Sequence, residues 1–280
     1  MASIKKVTAD SGGVARLLRH NNRDSRYHSK SNPDIDPTLS DRNYSLSPDR
    51  PCTPQEYYKV RLDTVYLYKR KDVVTLAEVV CTLPRNIRLD DTEAQREFFQ
   101  QTYNFLVQRY GGQYEENVVS CCVHLDEGKR RPVLNRFTGE PELNPDGTEK
   151  TELICGRPHL HFDFIPCVKI DMERELAKKH HDPKIEKYTE KVCCSKVLTA
   201  REYKVFHPQW ERYLRTNATL DSVKNAEVRT GITKQQGGNI SVEKYKSTYL
   251  EIEKEIEKLR AMQFKIVNDV DRTDEIRGRF

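Results

Sequence analysis

The chain has 280 residues, of which 32% are charged and 36% hydrophobic, with a net charge of +5. That is enough for one large domain, or a domain with an extension, and for a core beneath a heavily solvated surface. No run approaches the roughly 20 apolar residues of a membrane span. The N-terminus MASIKKVTADSGG has no apolar signal segment, and eight cysteines without a single C-x-x-C argue against a zinc ribbon or a disulfide framework. The expectation is a reduced, cytoplasmic protein.

ASIKKVTA (2–9) reads as a strand, and GGVARLLRHNNR (12–23) as a short helix or turn carrying His20. Residues 1–30 hold seven basic side chains against two acidic ones, an excess that favours a polyanion or simply a solvated basic surface. Residues 29–54 are rich in Pro, Ser, Asp and Asn and read as a long irregular segment. TPQEYYKVRLDTVYLYKR (53–70) fits a helix, and the β-branched run DVVTLAEVVCTLP (72–84) a buried strand. TEAQREFFQQTYNFLVQRYGG (92–112) is the clearest helix. Thr92 and Gln95 form a capping-box pattern, Phe99, Tyr103, Leu106 and Tyr110 share one face, and Gly111–Gly112 supply the stop.

NVVSCCVHLDE (117–127) and PHLHFDFIP (158–166) are two further strands, with turn signals at FTGE and NPDG between them. Thr199 and Glu202 open another helix, which Pro208 is expected to split. RTGITKQQGGN (229–239) reads as a loop. From Ser241 the chain is helical, and Tyr249, Ile252, Ile256, Leu259, Gln263, Ile266 and Val270 follow a near-heptad seam. Two readings stay open for it: a helix laid on its own domain, or a coiled-coil contact that makes a homodimer. The irregular alternation of strands and helices indicates an α+β fold with a mainly antiparallel sheet.

Residues i and i+2 of a strand face the same side, so His159 and His161 present two imidazoles together while Leu160 and Phe162 turn away. If the strand ending at His124 is a neighbour, three imidazoles converge. Three neutral nitrogens on one side of a divalent cation leave positions open for water or substrate. Asp126 and Glu127 lie beside His124, where a carboxylate can orient a ligand or move a proton. His20, flanked by Arg19, Arg23 and Arg26, is a candidate nucleophile. The arginines disfavour its protonation and attract phosphate, and Arg23 is suited to stabilising transition-state charge.

These stretches together resemble the Mob/Pre plasmid mobilisation and recombination proteins, the MobV-type relaxases. HNNR (20–23) is similar to the family's HNxR, and SNPDIDPTLSDRNYSL (31–46) to its N-x-DID…NY segment. HLDE (124–127) with RPHLHFDFIP (157–166) resembles its HxDE…PHxH signature. RKDVVTLAEVVCTLP, FLVQRYG, FHPQWERYL and GITKQQGGN extend the likeness over residues 1–245.

The resemblance implies a metal-dependent enzyme that nicks one DNA strand at a plasmid transfer origin, stays attached to the 5′ phosphate and later rejoins the strand. It implies a histidine-hydrophobic-histidine endonuclease fold: an antiparallel sheet flanked by helices, here with a helical C-terminal extension. By the same resemblance His20 is the nucleophile, Arg23 and Glu127 are catalytic, and His124, His159 and His161 bind the metal. Tyr44 is the competing nucleophile. Arg19, Asn21, Arg26, Asn43 and Tyr44 are candidate DNA contacts, Tyr44 through base stacking. Imidazole suits zinc, copper and nickel, but phosphodiester oxygens favour Mn²⁺ or Mg²⁺, and the resemblance selects Mn²⁺ first and Mg²⁺ second. The implied partners are single-stranded and supercoiled plasmid DNA at a transfer origin, in a bacterial cytoplasm. Two alternatives are a DNA-binding replication or recombination protein without nicking activity, and an unrelated metal hydrolase.

One departure concerns residues 128–157, which intervene where the family's pattern leaves only a couple of positions. They read as a hairpin insertion with stems RRPVLNRF and EKTELIC, carrying Lys129, Arg130, Arg131 and Arg136. It bears more on the placing of Glu127 than of the histidines. The expected division is a catalytic domain over 1–198 and a helical extension over 199–280.

Overall fold

Burial in the computed structural model follows the sequence's alternation closely. The description covers residues 2–9, 12–23, 35–135 and 138–228, with four helical positions at Glu255, Lys258, Leu259 and Met262. In chain order the strands are β1 (Ala2–Thr8), β2 (Tyr44–Ser45), β3 (Val74–Thr82), β4 (Val118–His124), β5 (Gly128–Pro132), β6 (Thr151–Cys155), β7 (His159–Phe164), β8 (Cys167–Lys169) and β9 (Glu190–Val192). The α-helices are α1 (Gly13–Asn21), α2 (Pro54–Asp63), α3 (Thr92–Leu106), α4 (Met172–Leu176), α5 (Cys194–Val197), α6 (Ala200–Asn217) and α7 (Asp221–Lys224).

The main sheet has the order β1-β3-β7-β4-β2 and every pairing in it is antiparallel. β7 is central. Its Leu160, Phe162 and Phe164 join Ala77, Val79 and Cys81 of β3 and Cys121 and Val123 of β4 on one face. Phe98, Phe99, Tyr103 and Leu106 of α3 and Phe206, Trp210 and Leu214 of α6 cover that face, all buried. On the other face Leu76, Val119 and Val7 pack beneath Val14, Leu17 and Leu18 of α1 and Tyr58 of α2.

Two compact units are distinguished, one over residues 1–131 and 153–230, the other over 132–152 and 231–280. Helix α6, assigned from sequence to a C-terminal extension, lies in the first unit and supplies part of its core. In the second unit, Val133 N–H donates to the Lys150 carbonyl (2.8 Å) and Glu142 N–H to that of Val133 (2.7 Å). The seam from Tyr249 to Val270 lies outside the described residues apart from helical Leu259, and so does the loop expected at 229–239.

Three local expectations are corrected. The helix expected over 53–70 stops at Asp63, because Tyr66 leaves it to exchange backbone hydrogen bonds with Glu190 and Val192 (2.9 and 3.0 Å). α3 is capped by Asp91, whose side chain accepts from Ala94 N–H, and not by Thr92. Pro208 does not split α6. It removes one backbone donor, but Phe206, Trp210 and Leu214 are anchored in the core on both sides of it.

Candidate metal centre

Alternation on β7 puts His159, His161 and Asp163 on the face opposite the α3 core. Register then builds three cross-strand rows there: Thr82–His159–His124, Val80–His161–Cys122 and Glu78–Asp163–Ser120. The first two rows bring the three histidines together. Ring centroids are 4.5 Å apart for His124–His161, 4.9 Å for His159–His161 and 5.3 Å for His124–His159. One ring nitrogen from each lies within 4.8 Å of the others.

Hydrogen bonding decides which nitrogens are available. His161 Nδ1 lies 2.6 Å from Glu78 Oε1, His124 Nε2 lies 2.7 Å from the Asn21 carbonyl oxygen, and His159 Nδ1 lies 3.3 Å from the Arg157 carbonyl oxygen. A carbonyl or ionised carboxylate only accepts, so each contacting nitrogen carries the ring proton. Lone pairs remain on His161 Nε2, His124 Nδ1 and His159 Nε2. The first two are buried without a hydrogen-bond partner among the described residues, the condition of donor atoms built for a cation. Burial, then the neighbouring histidine charge, pushes His159 down to about 4, and burial also lowers His161. These rings are therefore neutral and able to ligate near pH 7.

Glu127 reaches the same space. Its carboxylate lies 3.6 Å from His159 Nε2, 3.7 Å from His124 Nδ1 and 3.9 Å from His20 Nε2. Burial works to raise its pKa, but His124, His159 and Arg23 outweigh that and hold it well below the usual carboxylate range. Asp126 offers less to a cation, because it is fully buried and already gripped by Arg23 at 2.9 and 2.8 Å.

α1 delivers His20 to the edge of the cluster. The ring is about one-third exposed, with its centroid 6.1 Å from those of both His124 and His161. Burial and then the Arg23 charge lower its pKa, leaving a neutral imidazole open to solvent beside the three lone pairs. The helix ends in a tight reversal. Arg23 adopts left-handed backbone geometry (φ 49°), a strained state for a side chain of this size. That state turns its guanidinium back onto Asp126, Glu127 (2.6 Å) and the His20 carbonyl (3.1 Å). Arg23 thus ties the end of α1 to the HLDE segment.

Residues 35–47 clamp HLDE from the other side. Asp36 N–H donates to the Asp126 carbonyl, Ser40 Oγ to Asp126 Oδ2 (2.8 Å), and Leu125 N–H to Asn43 Oδ1 (2.7 Å). The hairpin insertion closes directly against Glu127. β5 pairs with β6, and Gly156 N–H donates to the Glu127 carbonyl at 2.7 Å. A Cβ on Gly156 would sit 2.9 Å from that carbonyl oxygen, so glycine permits the approach.

Several sequence-predicted DNA contacts sit elsewhere than expected. Asn21 is 1% exposed and bridges Glu78 and Asp163 in the interior. Asn43 spends its oxygen on Leu125. Tyr44 lies opposite Val123 in the register, on the face away from the histidines, with Arg96 of α3 over its ring at 5.6 Å. Burial pushes its hydroxyl up to about 12. Arg19 stands half-buried in the last turn of α1, and Arg26 lies outside the described residues. Sequence reading missed Glu78, Asp163 and Ser120. The available signal was a carboxylate inside each of two strands read as buried, costly unless paired.

Removing Arg23 would take the bidentate donor from the Asp126 carboxylate at 0% exposure, leaving the Ser40 hydroxyl bonded to it. Arg23→Ala is expected to destabilise the metal-free protein by about 3 kcal/mol in urea unfolding, with Arg23→Lys recovering under half of that for want of the bidentate fork.

A family model described as plasmid recombination enzyme (Mob_Pre) matches residues 1–247. A plasmid recombination enzyme from Bacillus sp is 37% identical over 113 residues, covering 39% of this chain and 26% of that protein. A type 2 plasmid recombination enzyme from Staphylococcus aureus (strain Mu50 / ATCC 700699) is 33% identical over 122 residues, covering 42% and 28%. The matched stretches thus span about a quarter of these curated relatives. Among solved structures, the MobM relaxase domain (MOBV; Mob_Pre) bound to plasmid pMV158 oriT DNA superposes with TM-score 0.55 at 20% identity, over 89% of this chain and 97% of that one. That structure is Mn-bound at pH 6.8, and a second, Mn-bound at pH 4.6, gives 0.53 at 20% identity over 88% and 98%. The likeness shows that this chain has the relaxase-domain fold.

Proposed function

This chain belongs to the plasmid recombination enzyme (Mob_Pre) family, and on that premise we propose that it is a plasmid mobilisation relaxase, nicking one strand of DNA at a transfer origin. The observation that carries the proposal is a neutral, part-exposed His20 held beside three histidine nitrogens whose lone pairs are left free. His124, His159 and His161 would hold the metal, Mn²⁺ first and Mg²⁺ next. The donor set fits, and the related MobM domain is Mn-bound. When bound, such a cation supplies Lewis-acid polarisation of a phosphodiester oxygen and neutralises charge there.

The remaining chemistry belongs to this chain's side chains. The lone pair of His20 Nε2 attacks the phosphorus. A P–N bond forms, the P–O3′ bond breaks, and the 3′ oxygen leaves as a hydroxyl. With the lone pair on Nε2 the ring proton is on Nδ1; it passes to solvent as the departing 3′ oxygen takes one up, and Glu127, ionised at neutral pH with its carboxylate 3.9 Å from Nε2, stabilises the positive charge that develops on the ring. Arg23 holds Glu127 and the backbone of His20 in one arrangement. Attack by a 3′ hydroxyl on the phosphoramidate reverses the step and rejoins the strand. The substrate is plasmid DNA, the compartment the bacterial cytoplasm, and no described helix is long and apolar enough to cross a membrane.

The test is a denaturing gel of supercoiled plasmid carrying the cognate origin, incubated with the protein and Mn²⁺. Relaxed DNA with protein on the 5′ end is expected. Tight binding without relaxation under any divalent ion would leave a DNA-binding recombination protein and sink the enzyme reading.

A further inference from the structure

Glu78 and Asp163 sit side by side in the register, 3% and 0% exposed, on adjacent buried strands. Two adjacent buried carboxylates are costly, and their partners show what offsets that cost. The Asn21 side-chain amide donates to Glu78 Oε1 at 2.8 Å and to Asp163 at 2.9 and 3.1 Å, and Ser120 Oγ donates to Asp163 Oδ2 at 2.6 Å. Glu78 Oε1 in turn accepts from His161 Nδ1. The backbone carbonyl of Asn21 accepts from His124 Nε2. One residue, immediately after the nucleophile, therefore reaches two of the three metal histidines, one directly and one through Glu78.

We propose that Asn21 and Glu78 are positioning residues of the metal centre. Together they fix which ring nitrogen of His124 and of His161 faces the metal, and they fasten that choice to the helix carrying His20. The proposal rests on the reading of the three histidines as metal ligands. Without the carboxylate, His161 is free to move its proton to Nε2, and that tautomer cannot ligate through the nitrogen that faces the cluster. Without the Asn21 amide, the carboxylate pair loses the donor that docks α1 onto the sheet. The arrangement makes the order of α1 and the capture of metal mutually reinforcing, so the nucleophile is held in place by the same contacts that ready the ligands.

Long-range ¹⁵N–¹H NMR spectra of the metal-free protein read imidazole tautomers directly. Wild type is expected to show His161 protonated at Nδ1 and His124 at Nε2, each as a single form. Glu78→Leu is expected to shift His161 toward the Nε2-protonated form and to weaken Mn²⁺ binding about tenfold by calorimetry. Glu78→Gln, which keeps an acceptor oxygen, should recover most of both. Asn21→Ala should weaken Mn²⁺ binding and exchange-broaden the His20 resonances. Wild-type His161 protonated at Nε2 would overturn the proposal, as would a folded Glu78→Leu with unchanged tautomer and affinity. The wild-type spectrum decides even if the leucine variant fails to fold. Correct tautomers in wild-type protein that takes up no Mn²⁺ would count against the metal reading instead.

Discussion

Replacing His20 by alanine is expected to abolish covalent attachment and to slow nicking by at least about 10⁴-fold, the scale seen when a nucleophile that works as part of a unit is removed. The measurement is a denaturing gel of a 3′-end-labelled origin oligonucleotide, on which the protein-linked strand runs slowly. Mn²⁺ affinity should change by no more than a few-fold, because His20 Nε2 is not one of the three converging lone pairs. Tyr44→Phe should leave the adduct within a few-fold of wild type. Its hydroxyl is buried on the α3 side of the sheet, pushed up to about 12, and separated from the histidines by the sheet itself. An adduct that persists in His20→Ala and vanishes in Tyr44→Phe would reverse the assignment of the nucleophile.

Sequence alone carried the strand-borne part of this site, and physical chemistry explains why. A period of two is unambiguous on a buried strand, so H-x-H fixes two imidazoles on one face wherever the strand goes. What alternation could not give was the identity of the neighbours. That His124 lies opposite His159 follows from β4–β7 pairing across an insertion, and register between separated strands is not written in either strand by itself. Asn21 illustrates the harder limit. Its type and its place in HNNR suit a phosphate contact, yet the turn of α1 points it inward. A helix assigns its residues to faces only once the helix is docked, and the docking here is decided by Glu78 and Asp163, far away in sequence. Likewise Asn43 is a candidate DNA contact by resemblance, but its Oδ1, with Ser40 Oγ, holds the HLDE turn.

The second large effect concerns the metal nitrogens. His159→Ala removes one of three donors, and Mn²⁺ affinity is expected to fall at least a hundredfold, with nicking lost at micromolar metal and partly restored at millimolar. Calorimetry and the gel assay read the two quantities separately. A proton on the same nitrogen does what the substitution does, which gives the pH dependence its sign. The folded-state pKa of His159 is depressed from the ordinary 6.5 to about 4, chiefly by burial, with the charge of His161 adding to it. A depressed value means that the lone pair survives acidification through the usual histidine range and is lost only as pH falls through the folded value. Proton competition at His159 should therefore be nearly absent from pH 7 to about 5, then cost Mn²⁺ affinity about one decade per pH unit once pH falls below the folded value. Titration of the His159 ring near pH 6.5, read by NMR in the metal-free protein, would mean that this imidazole is solvated in solution, and that the convergence of lone pairs at Glu127 does not hold there.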